Sequence, residues 1–396
     1  MKIPITKPYF DDQEKKAIIT PLETGWIVQG PYVKKFEELF AEFTKARYAK
    51  ATTNCTTALH LALDAIGIKP GEKVIIPSFT YIATANAVEQ MNAIPIFCDI
   101  DLQTFNIDTL KLAEILENDK YHEIKAIIPV NLFGLCADLI KISEIAHTYD
   151  IKIIEDSACG FGAYINNKHS GTFGDIGCFS FHPRKSITTG EGGMIITNDE
   201  KIAEMVSSLR DHGASKSDLT RHRDEGGSLL PEFNIKGFNY RMTDIQGAIG
   251  VSQMNKAEEI LEIKSRIAEK YNRALKHIDK LIIPYIPDGF IHGYQSYVCL
   301  LTLQNNMQNI TLEDIDKINI VRNNLMAKLE TAGIATRQGT HAVHTLGYYK
   351  NKYEFREEDF IKSYAADRLS MALPLYPSMT DDELDYVITN LTKALY

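Results

Sequence analysis

The sequence predicts an α/β fold: a large domain on a mainly parallel sheet, then a smaller C-terminal α+β domain. Three observations carry this expectation. Short apolar runs alternate with helical stretches through the greater part of the chain. Polar and reactive residues fall directly after those runs, where open parallel sheets bind their ligands. A long amphipathic stretch near residue 243 then gives way to a different pattern.

The elements follow in order. TTALHLALDAIG (56–67) spaces its apolar residues as a helix does and stops at a glycine. KVIIP (73–77) is a short strand halted by proline. YIATANAVEQM (81–91) reads as helix and AIPIFCDID (93–101) as strand. KAIIPVNLFG (125–134) is strand, LIKISEIAHTYD (139–150) helix and IKIIEDSA (151–158) strand. DIGCFSF (175–181) and MIIT (194–197) add two more strands. Such alternation implies βαβ units and a mainly parallel sheet. Residues 243–278 read as one long helix, GYQSYVCLLTL (293–303) as a strand, and 316–332 and 381–395 as helices. The domain boundary is set near 260: residues 1–260 form the large domain with its N-terminal segment, and 261–396 the small one.

Bulk composition narrows the function. Lys and Arg number 43 against 52 Asp and Glu, a net charge of −9 over 396 residues. An acidic chain without a basic block is a poor partner for nucleic acid or an anionic membrane. Any anion must be held locally, by backbone N–H groups, helix N-termini and single cations. Six cysteines occur and none forms a C-x-x-C pair. That usage predicts free thiols in a reducing compartment, with no disulfide framework and no zinc site. The N-terminus lacks a signal-peptide apolar run, and no stretch approaches the ~20 apolar residues of a membrane span. The expected location is the cytoplasm.

The residues after the strands carry the chemistry. Asp156 ends the run IKIIED and is followed by Ser157, Ala158 and Cys159. Lys185 lies in SFHPRKSITTGEGG (180–193), between an apolar strand and a glycine turn. Ser78, Phe79, Thr80 and Tyr81 follow KVIIP, and Asn54-Cys55-Thr56-Thr57 open the first helix of the sheet. Singly, each has a plain reading: a surface lysine, a structural acid, a packed tyrosine, an ordinary helix start. Together they suit one ligand, pyridoxal phosphate (PLP). Its aldehyde condenses with a lysine, and a buried carboxylate keeps its ring nitrogen protonated. Its ring stacks on an aromatic face, and its phosphate sits at a helix N-terminus. The glycine turn supplies unusual φ/ψ values. Desolvation at that strand end is expected to lower the pKa of Lys185 and make it a nucleophile.

In order and spacing the segments resemble the DegT/StrS-type sugar aminotransferases, a branch of the fold type I (aspartate-aminotransferase-like) PLP enzymes. The resemblance runs through TGWIVQGPYVKKFEE, NCTTALHLAL, PSFTYIATANAV, IFCDID, PVNLFG, IEDSACGFGA, SFHPRKSITTGEGG, GFNYRMTDIQGAIG and ALPLYPSMTDDELDYVI. It implies a seven-stranded sheet and a homodimer with shared active sites. It implies transfer of an amino group from L-glutamate, leaving 2-oxoglutarate, to a keto sugar linked to a nucleotide, as in amino-sugar and surface-polysaccharide biosynthesis. Lys185 would form the Schiff base and carry the proton during transfer. Asp156 would pair with the pyridinium nitrogen, Tyr81 would stack on the ring, and Ser180, Thr56 and Thr57 would hold the phosphate. Asn239 would reach the phosphate of the neighbouring subunit. Arg241, Arg337 and His341 are the substrate candidates.

The chain departs from the family pattern in two places. Cys159 stands where many relatives have a glutamine that contacts the cofactor's phenolic oxygen, and Cys55-Thr56 where relatives often have Gly-Thr. Lys185 stands where relatives that act as dehydratases have histidine, which favours transamination. His341 and His344 have a spacing that can hold a metal, but no third ligand lies near in sequence, and no metal is expected. Three other readings stay open at this stage: a PLP dehydratase, an aminotransferase for a smaller phosphorylated ketone or keto-acid sugar, and a non-catalytic regulator of the same fold.

Overall fold

The computed structural model describes residues 1–215, 231–303, 307 and 309–396. Its centre is a seven-stranded sheet of β1 (Tyr48–Thr52), β2 (Lys73–Pro77), β3 (Ile94–Cys98), β4 (Ile124–Ile127), β5 (Lys152–Asp156), β6 (Ile176–Ser180) and β7 (Gly193–Thr197). The spatial order is β1-β7-β6-β5-β4-β2-β3. Strands β2 to β6 pair in parallel, while β7 runs antiparallel to both β6 and β1. The sheet is therefore mainly parallel, as the alternation predicts. Val74, Ile75 and Ile76 are fully buried, the mark of a strand covered on both faces.

Helices cover the sheet: α1 (Pro31–Thr44), α2 (Cys55–Ala65), α3 (Ala83–Gln90), α4 (Thr109–Glu117), α5 (Leu139–Tyr149), α6 (Glu200–Leu209) and α7 (Asp244–Asn255). Their starts are built by side chains that take otherwise unpaired N–H groups: Asn54 for α2, Asp108 for α4, Asp138 for α5, Asp199 for α6 and Thr243 for α7. Helix α1 has no cap of its own kind. It opens on Pro31, and the buried carboxylate of Asp244 accepts from the amides of Gly30, Tyr32 and Val33.

The single helix expected over 243–278 is two helices. α7 ends at Asn255, and α8 (Ala257–Leu275) starts anew. Lys256 between them is non-helical, at φ −121 and ψ 18. Its buried ammonium is drawn onto Glu14 and Asp11 of the N-terminal segment, at 2.7 and 3.0 Å. The strand expected over 125–134 stops at Ile127. Pro129 has no N–H to continue a ladder, and the chain turns at Asn131, which donates to Glu155 and Ser157.

The C-terminal part is a three-stranded antiparallel sheet of β8 (Leu281–Ile282), β9 (Tyr297–Leu301) and β10 (Ser370–Leu373), in the order β8-β9-β10. It packs with α8, α9 (Leu312–Thr331), α10 (Ile361–Leu369) and α11 (Asp381–Leu395) around Tyr271, Tyr297, Leu329 and Leu391. The first residues join this part: Ile3 bridges to Ile334, and the Ile5 carbonyl accepts from Leu375. The six cysteines are unpaired, five of them buried and Cys159 partly exposed. Among the described residues no helix is long and apolar enough to cross a membrane.

Candidate active site

Strand direction builds the site. β1, β2, β4, β5 and β6 all point one way, so their carboxyl ends share one edge of the sheet. That edge receives Thr52, Pro77, Asp156 and Ser180 as last strand residues. In register, Asp156 of β5 lies beside Cys178 of β6, so the turns after the two strands are neighbours.

Asp156 is 5% exposed. One oxygen accepts from Thr84 Oγ1 at 2.7 Å and the other from the Ala158 amide at 3.2 Å. Burial pushes its carboxyl above the usual range, against the pull of Thr84, Ala158 and Lys185. Its neighbour Glu155 points elsewhere: it is fully buried and accepts from the amides of Gly171, Phe173 and Gly174, which fixes that loop. The acid available to a ligand is therefore Asp156.

Lys185 follows β6, and its Nζ lies 3.1 Å from Cys159 Sγ. The expected lowering of its pKa is not what the geometry gives. Burial pushes the ammonium down, but Cys159, Cys55 and Asp156 around it outweigh that, and it is held above its ordinary value. The lysine is desolvated, as expected, but in acidic and thiol company.

The turn into α2 is closely packed. Asn54 Oδ1 accepts from the Thr57 amide at 2.9 Å, and Thr57 Oγ1 lies 3.0 Å from Thr53 Oγ1. The amides of Cys55 and Thr56 make no hydrogen bond among the described residues. Gly193 opens β7 against this turn, and a Cβ there would lie 2.5 Å from the Asn54 backbone. Of the glycines in the 190–193 turn only Gly190 has a positive φ, +85. Gly193 is needed for close approach rather than for its conformation. Ser180 pairs with Gly193 across the sheet, and its Oγ accepts from the His182 amide at 3.4 Å.

The remaining expected residues sort themselves. Tyr81 is 66% exposed, so it is not a core residue. It follows the short strand Phe79–Thr80, whose partner is His341–Ala342, and this pairing brings His341 opposite Thr80. Asn239 is exposed and bridges Asp211. The carbonyl of its neighbour Tyr240 accepts from the Thr53 amide at 3.0 Å, which ties the Asn239 loop to the turn before α2. Arg241 is ion-paired with Asp211. Arg337 is exposed, bridges Ala372 through its backbone, and donates to the Thr336 carbonyl. No hydrogen bond or ion pair joins Arg241, Arg337 or His341 to Lys185 or Asp156 among the described residues. His344 is fully buried with Nδ1 2.6 Å from Ser78 Oγ, and no metal-sized cluster of ligands exists among the described residues.

Sequence reasoning missed Thr84, which orients Asp156, and Lys264, a buried lysine behind Lys185. The signal for Lys264 was present. It falls on the stripe of Ala257, Ile260, Ile267, Ala268 and Tyr271 that forms the buried face of α8.

These residues fit PLP. A buried acid, a lysine beside it, unpaired amides at a capped helix start and a cradle that a Cβ would fill converge on one edge. The DegT/DnrJ/EryC1/StrS aminotransferase description matches residues 8–392. The chain is 34% identical to a GDP-perosamine synthase of Caulobacter vibrioides, over 100% of this chain and 98% of that protein. It is 33% identical to the spore coat polysaccharide biosynthesis protein SpsC of Bacillus subtilis, over 98% and 95% of the two chains. The PLP form of Spr1654 from Streptococcus pneumoniae superposes with a TM-score of 0.86 at 25% identity, over 100% of both chains. The fold is that of the type I PLP enzymes. The chain belongs to the DegT/DnrJ/EryC1/StrS family of PLP-dependent aminotransferases.

Proposed function

We propose that this aminotransferase moves an amino group from L-glutamate to a keto group of a nucleotide-linked sugar, with a 4-keto-6-deoxysugar as the leading acceptor. The convergence of Lys185, Asp156 and the α2 turn on one sheet edge supports the chemistry. The GDP-perosamine synthase and spore-coat polysaccharide relatives support the sugar.

When bound, the cofactor supplies a cationic ring that withdraws electrons from the carbon being deprotonated. The protein's part follows from its own atoms. Asp156, fixed by Thr84, holds a proton on the ring nitrogen. The Cys55 and Thr56 amides, Thr57 and Ser180 bind the phosphate at the positive end of α2. Tyr81 would cover the ring. Cys159 stands where a glutamine would donate to the phenolic oxygen, and its thiol is a weaker donor. Lys185 Nζ would hold the cofactor and would carry the proton to and from the substrate carbon. Arg241, Arg337 and His341 are assigned to the substrate side. A planar guanidinium suits both carboxylate and phosphate, but Arg241 must first leave Asp211.

The same reading makes the enzyme a cytoplasmic homodimer in which Asn239 serves the partner's phosphate. It divides the chain at residue 260 into a cofactor domain and a smaller domain. The test loads the enzyme with amino donor and then offers nucleotide-linked 4-keto-6-deoxysugars, following recovery of the cofactor's visible absorbance. Recovery with a nucleotide sugar is expected. Recovery only with a small phosphorylated ketone would overturn the acceptor and leave the aminotransferase reading in place.

A further inference from the structure

Lys185 stands in a stretch that has left the sheet: β6 ends at Ser180, and β7 opens at Gly193. Within it the Lys185 amide donates to the His182 carbonyl at 2.8 Å, and the Arg184 amide to His182 Nδ1 at 3.2 Å. Both bonds are local. They shape a turn and leave its place in the molecule to be fixed from outside.

Two residues from the C-terminal part fix it. Gln295, two residues ahead of β9, donates from Nε2 to the Arg184 carbonyl at 2.8 Å. Lys264, on the buried face of α8 and 3% exposed, donates from Nζ to Ser186 Oγ at 3.2 Å. The same Nζ donates to the Gln295 carbonyl at 3.1 Å, which ties the two anchors together. Ser296 Oγ donates to Gln295 Oε1 at 3.0 Å and so turns the amide nitrogen towards Arg184. Among the described residues, no other hydrogen bond reaches Arg184 or Ser186 from outside the stretch. The grip therefore falls on the residues directly before and after Lys185.

Packing alone does not account for Lys264. Its neighbours on that face, Ile260, Ile267 and Ala268, are apolar. Burying an ammonium is costly unless its donors are used. Both acceptors that Lys264 finds belong to the grip, and no carboxylate pairs with it among the described residues.

We propose that Lys264 and Gln295 are positioning residues for the reaction: they hold the two residues that flank Lys185 and so set where its Nζ stands. This rests on the reading of Lys185 as the cofactor lysine. A group that must form a bond and then carry a proton has to be held to a fraction of an ångström. A long helix and the approach to a strand supply that hold better than a loop does.

The experiment compares two ligands on cofactor-free protein. PLP needs Lys185 Nζ in place to form its bond, whereas pyridoxamine phosphate binds the same pocket and forms none. In Lys264→Met, which keeps the length and removes the donor, PLP should bind about tenfold more weakly. Its attachment, followed by visible absorbance, should slow by about tenfold or more. Affinity for pyridoxamine phosphate should not change. Gln295→Met and Ser186→Ala should act in the same direction, and both answer the question if Lys264→Met does not fold. Ser186→Ala should add little to Lys264→Met, because the two remove one hydrogen bond. Equal weakening of both ligands in folded variants would make the contacts mere support for the pocket, and no weakening of PLP would make them idle. Either result would overturn the proposal. Attachment of PLP to a different lysine in the unaltered protein would instead overturn the reading of Lys185, and borohydride reduction detects that separately.

Discussion

Lys185 Nζ and Cys159 Sγ lie 3.1 Å apart, at the ends of the turns that leave two adjacent parallel strands. The strands fix where each turn starts, so this contact follows from the sheet and not from loop chance. It also places the one partly exposed cysteine of the protein against Lys185, the lysine proposed to carry the cofactor.

Cys159 should therefore react first with a thiol reagent. In native cofactor-free protein, alkylation should label Cys159 ahead of the five buried cysteines, and the alkylated protein should no longer accept PLP at Lys185. Bound PLP should slow the labelling. Peptide mapping of a brief iodoacetamide treatment checks this; first labelling at a buried cysteine would contradict the packing.

Thr84 donates to Asp156 and holds it in place, and the role proposed for Asp156 is to set the electronics of the site. Asp156→Asn keeps the shape and removes the charge. The expected loss is about 10²-fold or more in kcat, by analogy with the removal of other key electrostatic groups. Thr84→Val removes one hydrogen bond to a charged group, worth about 1.5–3 kcal/mol, and should cost less than Asp156→Asn. Steady-state kinetics of the two variants test the order, and near-normal turnover in Asp156→Asn would make the acid structural.

Gly193 allows β7 to lie against the turn that opens α2. In Gly193→Ala the new Cβ meets the Asn54 backbone at 2.5 Å, and backbone cannot swing aside as a side chain can. Overpacking of this kind costs about 1–3 kcal/mol. It should appear mainly as weaker PLP binding, about tenfold or more at 1.4 kcal/mol per decade. Titration with PLP, followed by absorbance, measures it; unchanged affinity would place the phosphate elsewhere.

Acid stability should depend on His169. Its Nε2 accepts from the Gly162 amide at 3.1 Å, and Nδ1 faces the Ser170 carbonyl at 2.5 Å, so the neutral ring is fully satisfied. Burial holds its pKa down to about 4, from 6.5. Between those values the unfolded chain binds a proton that the folded chain does not, so stability falls as the pH falls from 6.5 towards 4. The withdrawn stability is about 3 kcal/mol, at about 1.4 kcal/mol per pH unit. His169→Gln keeps an acceptor for Gly162 and should flatten that part of the profile. Urea unfolding of both proteins at several pH values tests it; parallel profiles would remove His169 as a cause.

The sheet and its order of chemistry were legible because they rest on local signals. Runs such as KVIIP and IKIIED are apolar enough to be strands, and Asp156 and Lys185 fall at their ends. The break at Lys256 was not legible, because it depends on Asp11 and Glu14, more than two hundred residues earlier in the chain. Residue pattern continues through 243–278 without a proline or a clear stop. The state of Lys185 was misread for a similar reason. Burial could be inferred from position, but the company of Cys159, Cys55 and Asp156 is a three-dimensional fact. Arg241 was legible as a cation and not as the partner of Asp211, which reaches it across a separate segment.

The central claim is that PLP attaches to Lys185. Borohydride reduction of the purified holoenzyme, followed by peptide mass spectrometry, tests it most directly. The expected result is a single reduced pyridoxyl adduct on the peptide that contains Lys185, absent from Lys185→Ala. An adduct on Lys264 or any other lysine, or none in protein that still turns over, would contradict it.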